Sequence, residues 1–300
     1  MRALELNGVG QDELDALEAM VRRALSADDE SGLRVLGYGE ISLVLALEAR
    51  AGRFACKRLP RFDSPESLDA YRRSFEAYLA ALWDRGVEVI ETELLSTPAE
   101  GGGAFGYCVQ PMLDPQTLAP RVLERAGDAE GEALVERIFG QVAATVSAHL
   151  GLDAQLSNWA LSGGSLLYLD VTTPLLRDDA GREQLDFRIF VASLPWLLRG
   201  AVRRFVAPGI AAHYHDRRTV LVDFIANLHK ERLGRWIPAA LRQANRLVEE
   251  PITAEEARRY YAADARLWAL LQKLRRLDRS WQRNVRGRPY PFLLPGEIRR

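Results

Sequence analysis

The sequence is poor in cysteine and in long apolar runs, and each shortage excludes a class of protein. Two cysteines, Cys56 and Cys108, are too few for a disulfide framework, and their apolar neighbours predict buried, reduced thiols. The most apolar stretch, residues 189–198, is about half the length of a membrane-spanning helix and contains Ser193 and Pro195. We therefore predict no membrane segment.

Net charge and targeting signals are also lacking. The 40 basic and 41 acidic side chains nearly cancel, which argues against nucleic acid or an anionic membrane as an obligatory partner. Residues 1–10 hold no apolar core of signal-peptide length, so the sequence predicts a cytoplasmic location. With 300 residues, 48% hydrophobic and 27% charged, the chain can bury a full core in one two-lobed unit or two small domains.

Lysine is scarce among the charged residues. Only Lys57, Lys230 and Lys273 occur, so 37 of the 40 basic side chains are arginine. Where a site requires a compact ammonium, a planar guanidinium cannot simply replace it. Because Lys57 lies in an apolar, strand-like stretch, it is a candidate functional residue.

The hydrophobic pattern divides the chain near Leu113 into a strand-rich part and a helix-rich part. In the first part we predict helices over residues 12–25 and 65–83, a glycine-tipped hairpin over residues 33–47, and strands over residues 54–59, 87–95 and 105–111. Together these strands give a five-stranded sheet. In the second part we predict two short strands over residues 158–161 and 166–170, and helices over residues 130–150, 185–205, 219–233, 237–248 and 254–275.

Several residues are of the types that phosphoryl transfer requires, namely backbone amides over phosphates, a lysine, metal ligands and a carboxylate at the acceptor hydroxyl. Gly37 and Gly39 interrupt a strand pattern, where missing side chains let backbone amides approach phosphate oxygens. Asp153 and Asn158 follow a predicted helix, and Asp170 ends the second short strand. Taken singly, each of these acidic or amide residues is typical of an ordinary turn.

Taken together in their order along the chain, the two glycines, Lys57, Asp153, Asn158 and Asp170 resemble the site residues of the protein-kinase-like superfamily. The resemblance covers residues 33–174 and implies a two-lobed α+β fold, with an antiparallel five-stranded sheet plus one helix in the N-terminal lobe and a mostly helical C-terminal lobe. It implies residues 1–30 as a helical extension, 31–112 as the nucleotide-binding lobe, and 113–300 as the helical lobe with the catalytic loop and acceptor site.

The resemblance also implies ATP and Mg2+ as cofactors, and it gives each site residue a role. Lys57 would reach the nucleotide phosphates and be held by Glu76 in the following helix. Asp153 would orient or deprotonate the acceptor hydroxyl, and Asn158 and Asp170 would bind Mg2+. The remaining nucleotide-binding positions would be Gly37, Gly39, Ser42, Gln110 and Met112.

The chain departs from the superfamily pattern at three places. Ser42 replaces the third glycine, Gly151 stands where a histidine or its equivalent begins the catalytic loop, and Val171-Thr172 replaces the Phe-Gly after the metal-binding aspartate. An Ala-Pro-Glu signal is also missing. These departures argue against a regulated protein kinase, and the sequence is more similar to aminoglycoside and choline phosphotransferases.

We therefore expect an ATP- and Mg2+-dependent phosphotransferase that acts on a hydroxyl of a small molecule. Gly151 and the lost Phe-Gly keep a nucleotide-binding pseudokinase or interaction scaffold open as an alternative. Nucleotidyl (AMP) transfer, which uses the same metal site, is a second alternative. A protein substrate or partner stays open beside the small-molecule acceptor, whereas neither a membrane nor nucleic acid is expected.

Two other clusters have ordinary interpretations. Residues 213–216, His-Tyr-His-Asp, lack accompanying metal ligands, so we interpret them as a surface or capping cluster. Residues 273–300 are rich in basic and aromatic side chains, which is also typical of nucleic-acid binding. Because arginine is the general cation of this chain, we favour a solvated helix followed by a tail packed by its aromatic residues.

Overall fold

The strand-rich part of the chain forms one antiparallel sheet. In the computed structural model, which describes residues 8–38, 42–185, 207–287, 290 and 292–293, the order of the sheet is β1-β2-β3-β5-β4. Its strands are β1 (Val35–Tyr38), β2 (Leu43–Ala49), β3 (Gly52–Phe62), β4 (Glu93–Pro98) and β5 (Ala104–Pro111). A separate hairpin pairs β6 (Trp159–Ser162) with β7 (Ser165–Tyr168).

One helix precedes the sheet in the sequence, one lies between β3 and β4, and helices make up most of the rest of the described chain. They are α1 (Gln11–Ala27), α2 (Pro65–Asp84), α3 (Ala119–Arg125), α4 (Asp128–Thr145), α5 (Ala207–Tyr214), α6 (Arg217–Lys230), α7 (Ile237–Ala244) and α8 (Ala254–Asn284). A sheet with one inserted helix, followed by a hairpin and a helical part, confirms the predicted two-lobed, kinase-like α+β fold. None of the helices described combines the length and the hydrophobicity needed to span a bilayer.

Strand β3 separates two hydrophobic cores. Successive side chains of a strand point to opposite faces, so Phe54 and Cys56 share one face while Lys57 and Leu59 share the other. Phe54 and Cys56 pack in the cluster beneath α1. Leu59 belongs to the larger cluster, which continues through α2 into the helical lobe. The strand therefore directs Lys57 towards the helical lobe.

A buried ion pair fixes α1 to the sheet. Glu18 of α1 accepts two hydrogen bonds from the Arg58 guanidinium, at 2.7 and 2.9 Å, and one from the Tyr107 hydroxyl at 2.5 Å. Glu18 is 1% exposed and Arg58 is 7% exposed, so neither charge has water as an alternative partner. A charged pair buried this deeply requires such complete hydrogen bonding.

Helix α2 begins and orients as its sequence predicts. Ser64 caps it by accepting a hydrogen bond from the Ser67 amide, and Pro65 occupies the first helical position. The buried face of the helix comprises Leu68, Tyr71, Phe75, Tyr78 and Leu82. Each large apolar side chain buried there stabilises the fold by roughly 1.5–3 kcal/mol.

Several predicted element boundaries were wrong, including the end of α7, which lies at Ala244 rather than at residue 248. Three others lie further from the prediction. Strand β4 begins at Glu93, because residues 87–90 instead run beside β7, where Tyr168 exchanges backbone hydrogen bonds with Glu88 and Ile90. Helix α4 ends at Thr145. Leu150 continues the apolar spacing of the helix, but it lies in the loop beyond the helix and is buried there.

The third boundary concerns the last helix, α8, which continues to Asn284 rather than to residue 275. The tail beyond it packs through Tyr290, which is 4% exposed and lies edge-on to Phe292. The predicted helix over residues 185–205 lies almost entirely outside the described residues. Both cysteines are buried, as expected, and burial raises the pKa of each thiol to about 12.

Two glycines of α4 give a matched test of packing. A Cβ on Gly131 would lie 1.9 Å from the Trp236 ring, whereas a Cβ on Gly140 would meet nothing within 4 Å. We expect Gly131→Ala to lower the free energy of unfolding by about 1–3 kcal/mol through overpacking. Gly140→Ala, in the same helix, should raise it by about 0.5–1 kcal/mol. Urea unfolding measures both, and equal effects of the two substitutions would contradict the packing described.

Candidate functional site

The site is built around an ion pair between the two lobes. The register of the sheet places Lys57 between Val44 and Cys108. Its Nζ lies 2.7 Å from Oδ1 of Asp170, two residues after β7. The two side chains are 21% and 27% exposed, so the pair is only partly shielded from water. The scarce lysine therefore contacts one of the two predicted metal ligands.

Asp170 is held in its charged form by this contact. Burial alone would raise its pKa, but the nearby Lys57 charge, the hydrogen bond from Lys57 and those from Thr172 hold it below the usual value. The Thr172 hydroxyl and amide donate to Oδ1 at 2.9 and 3.3 Å. Thus Val171-Thr172 folds back onto the carboxylate.

The predicted catalytic loop forms a tight turn that brings Asp153 and Asn158 together. The Asp153 carbonyl accepts hydrogen bonds from the Asn158 side-chain amide and from the Tyr168 hydroxyl, both at 3.1 Å. The Asn158 carbonyl in turn accepts from the Leu169 amide at 2.9 Å, which places Asn158 beside the segment leading to Asp170. Three of the predicted residues therefore lie on adjacent turns of the backbone.

Gly151 has a packing reason of its own. A Cβ at this position would lie 3.0 Å from both the Leu175 Cβ and the Tyr214 carbonyl oxygen. The loop is supported from two sides, since the Tyr78 hydroxyl donates to the Gly151 carbonyl and the Leu152 amide donates to the Tyr214 carbonyl, each at 3.1 Å. The loop around Gly151 is thus supported by α2 and by the end of α5.

The expected ion pair between Lys57 and Glu76 is not formed. Glu76 is exposed, next to the buried Phe75 but on the outer side of α2. The other acidic residues of this helix, Glu66, Asp69 and Asp84, are also exposed. Because α2 buries aromatic and aliphatic side chains only, Lys57 takes its carboxylate partner from the helical lobe.

The other predicted nucleotide-binding residues have the following positions in the structure. The Gln110 side chain donates to the Leu169 carbonyl at 2.8 Å, so it braces the residue before Asp170. The Met112 amide donates to the Arg53 carbonyl at 2.9 Å, beyond the end of β5. Gly37 lies in β1 beside a bulge, Ser42 is half-buried just before β2, and Gly39 lies outside the described residues.

Three tyrosines support the site, and a pattern of apolar residues alone does not distinguish them from phenylalanine. A buried tyrosine hydroxyl requires a hydrogen-bond partner, and here the partners are backbone carbonyls of the site. Tyr71 donates to Thr172 at 2.9 Å, and Tyr78 and Tyr168 donate to the catalytic loop as described above. For Tyr71 and Tyr78, the signal is tyrosine rather than phenylalanine at buried, helix-spaced positions of α2; Tyr168 lies in strand β7.

The donor set fits Mg2+. The side-chain NH2 group of Asn158 donates to the Asp153 carbonyl, which leaves the amide oxygen of Asn158 available to a cation. Asp170 uses Oδ1 for Lys57 and Thr172, so Oδ2 is the oxygen left for a cation. Mg2+ is usually held by one or two such protein oxygens together with phosphates and water. Within the described residues, no group of three or more His, Cys, Asp or Glu could hold a metal.

The cluster at residues 213–216 has a capping role. Asp216 accepts a hydrogen bond from the Thr219 amide at 2.7 Å and so caps α6. The His215 side chain is 1% exposed and lies 3.5 Å from Glu183, which also accepts a hydrogen bond from Arg177. These contacts favour the capping interpretation over metal binding.

The fold and the site together define a protein of the kinase-like fold class. The strand order, the helix between β3 and β4, and the loop and hairpin between Asp153 and Asp170 carry this assignment. Within that class the chain belongs to DUF6206, a family of unknown function, whose model matches residues 16–279. Comparison with curated proteins gives no match.

Crystal structures of the PknI kinase domain of Mycobacterium tuberculosis are similar to this chain. One is 16% identical, covers 71% of this chain and 96% of its own, and has a TM-score of 0.32. A second is 17% identical, covers 73% and 97%, and also has a TM-score of 0.32. A point mutant of the same domain is 16% identical, covers 71% and 96%, and has a TM-score of 0.31. Identities of this size carry no information about substrate.

Removing the Lys57 charge should raise the pKa of Asp170. Lys57 provides the largest influence that lowers it, so in Lys57→Met we expect Asp170 to titrate at higher pH. A carboxylate with a depressed pKa stabilises the fold above its unfolded pKa, and this stability is lost as pH falls through the folded pKa. The stability lost in the variant should therefore be greatest near neutral pH and shrink on acidification.

Carboxyl 13C NMR measures the titration of Asp170. Urea unfolding measures the stability between about pH 2 and 7, which is roughly the range over which carboxylates titrate. Lys273→Met is the matched control, because it removes the same charge from an exposed position on α8. An Asp170 titration that is identical in wild type and Lys57→Met would contradict the ion pair.

Proposed function

We propose that this chain is an ATP- and Mg2+-dependent phosphotransferase that acts on a hydroxyl group of a small molecule. The observation that carries the proposal is the 2.7 Å contact between Lys57 and Asp170, beside the turn that holds Asp153 and Asn158. An ammonium, a metal-binding carboxylate, an amide oxygen and a second carboxylate are the groups that phosphoryl transfer requires.

Each residue has a chemical task in this reaction. When ATP binds, Lys57 would contact its phosphate oxygens in addition to Asp170. Asp170 and Asn158 would hold Mg2+, which supplies charge neutralisation for the phosphates when it is bound. Asp153 would accept the proton of the acceptor hydroxyl while the hydroxyl oxygen forms a bond to the γ-phosphorus. The bond from that phosphorus to the bridging oxygen breaks, and ADP leaves with the electron pair.

The small-molecule side of the superfamily is supported by the segment after Asp170. Val171 is fully buried, and Thr172 is bonded to both Asp170 and Tyr71. A residue pair packed in this way differs from the Phe-Gly pair whose movement sets the activity state of protein kinases. This favours a site of fixed geometry over a regulated activation segment.

A nucleotide-binding scaffold without catalysis is the second candidate. It is favoured by the exposed position of Glu76, since the lysine then lacks the helix carboxylate that orients it in kinases. The two candidates agree that ATP binds, and they differ in whether a group leaves the nucleotide.

Substitution of the proposed base should slow transfer, and substitution of the proposed metal ligand should remove nucleotide binding. In single-turnover assays with γ-labelled ATP, Mg2+ and a panel of hydroxylated small molecules, we expect Asp153→Asn to slow transfer by about 10²–10⁴-fold, because general-base assistance is lost. Asp170→Ala should remove Mg2+-dependent ATP binding as well. Turnover that is unchanged by both substitutions would contradict the assignment of these residues.

Labelling also separates the alternatives. Transfer of an α-labelled rather than a γ-labelled group would identify nucleotidyl transfer. ATP-dependent thermal stabilisation that requires Mg2+ and Lys57, without transfer to any acceptor, would identify the scaffold.

Glu76 provides the sharpest contrast between resemblance and structure. Because its side chain is exposed and Lys57 is paired with Asp170, we expect Glu76→Gln to change ATP affinity less than about twofold and stability by less than about 0.5 kcal/mol. Calorimetric titration with Mg-ATP and urea unfolding measure the two quantities. A tenfold loss of affinity would mean that Glu76 reaches Lys57 once nucleotide is bound.

A further inference from the structure

A network of polar side chains lies behind Asp153, between the catalytic loop and α6. Its centre is Gln155, whose backbone amide donates to Asp153 Oδ1 at 3.2 Å. The side-chain oxygen of Gln155 accepts from Asn227 at 3.3 Å, and its NH2 group hydrogen-bonds the Asp223 carboxyl. Asp223 and Asn227 are four residues apart on α6, so they lie on one face of the helix. Together they fix both ends of the Gln155 amide.

The orientation of Asn227 supports this arrangement. Asn227 is 5% exposed, and its side-chain oxygen has no hydrogen-bond partner among the described residues. A buried acceptor without a partner costs about 1–3 kcal/mol. The amide tolerates this cost because the opposite orientation would place its oxygen against the Gln155 oxygen. The helix therefore presents a donor and an acceptor to one loop residue, among apolar neighbours that include Phe224 and Ile225.

We propose that Asp223 is a positioning residue for Asp153. With Asn227 it holds the Gln155 side chain, and through the Gln155 backbone amide it fixes the Asp153 carboxylate for the acceptor hydroxyl. The inference rests on the proposed function, since it takes Asp153 as the base. Asp223 itself contacts neither the acceptor nor the nucleotide.

The surroundings of Asp223 make this role dependent on pH. Burial and the negative charge of Asp264 raise its pKa to about 6, against hydrogen bonds from Gln155 and Tyr260 and the positive charge of Lys230. Tyr260 and Asp264 face it from α8, Lys230 belongs to α6, and the charge of Asp153 reaches Tyr260 from the loop. The charged form of Asp223 accepts a stronger hydrogen bond from the side-chain NH2 group of Gln155, and this form predominates above this pH.

Activity measurements give the first test. In wild type we expect the single-turnover rate to fall on acidification with a midpoint near pH 6, the value at which Asp223 titrates. Asp223→Asn should lose this step and slow transfer by about ten- to a hundredfold through misplacement of Asp153, with the affinity for Mg-ATP unchanged. Asp264→Asn should move the step to lower pH, because it removes a negative neighbour.

Two further variants complete the comparison. Gln155→Ala should reproduce the slow, pH-independent rate of Asp223→Asn from the other end of the network. Glu249→Gln, the same chemical change at an exposed position, should leave the rate and its pH dependence as in wild type. A pH step that is unchanged in both Asp223→Asn and Asp264→Asn would overturn the proposal.

NMR tests the network without any assumption about activity. The backbone amide signal of Gln155 should shift between pH 5 and 7, about one pH unit either side of a midpoint near 6, and this shift should disappear in Asp223→Asn. A Gln155 signal that does not respond overturns the proposal even if the protein is an active phosphotransferase. If no variant transfers phosphate but the signal responds, the proposed function fails while the coupling between Asp223 and Gln155 is supported.

Discussion

The contact between Lys57 and Asp170 is the interaction on which the site depends. Lys57 comes from the middle of the sheet and Asp170 from the segment after the hairpin of the helical lobe, so their ion pair joins the two parts of the molecule. Both side chains are partly shielded from water, and each therefore requires a partner of opposite charge. Under the proposed function, a nucleotide with its metal would offer both residues new partners of the right sign.

Support for the catalytic loop comes from hydroxyl groups and from the lack of a side chain. Tyr78 and Tyr168 donate to loop carbonyls, and Gly151 lets the Tyr214 backbone approach closely enough to receive the Leu152 amide. A loop held by its backbone leaves its side chains for other tasks. The departure at Gly151 is thus a different solution to the same problem of loop rigidity, and it does not itself indicate loss of catalysis.

The sequence predicts well what depends on local periodicity or on rare residues, and poorly what depends on distant contacts. The sheet and α2 followed from the hydrophobic pattern, and the scarcity of lysine drew attention to Lys57, which the structure pairs with Asp170. Glu76 could not be placed, because one helical position beside the buried Phe75 turns its side chain by about 100° towards solvent. Likewise, Leu150 fits the apolar spacing of helix α4, and only the folded structure shows that it lies in the loop after the helix. The Gln155 network requires α6 and the loop to meet, which no local pattern reveals.

The buried ion pair of α1 gives strand β3 a mechanical restraint from both sides. Arg58 is held by Glu18 on one face of the sheet, while its neighbour Lys57 is held by Asp170 on the other. A slip of β3 by one residue that brought Lys57 to the place of Arg58 would set a single ammonium against the carboxylate that now receives a two-pronged guanidinium, and it would leave Asp170 opposite Cys56. Sliding of the strand is therefore opposed at two adjacent residues at once. The N-terminal helix thereby sets the position of a lysine that it does not contact.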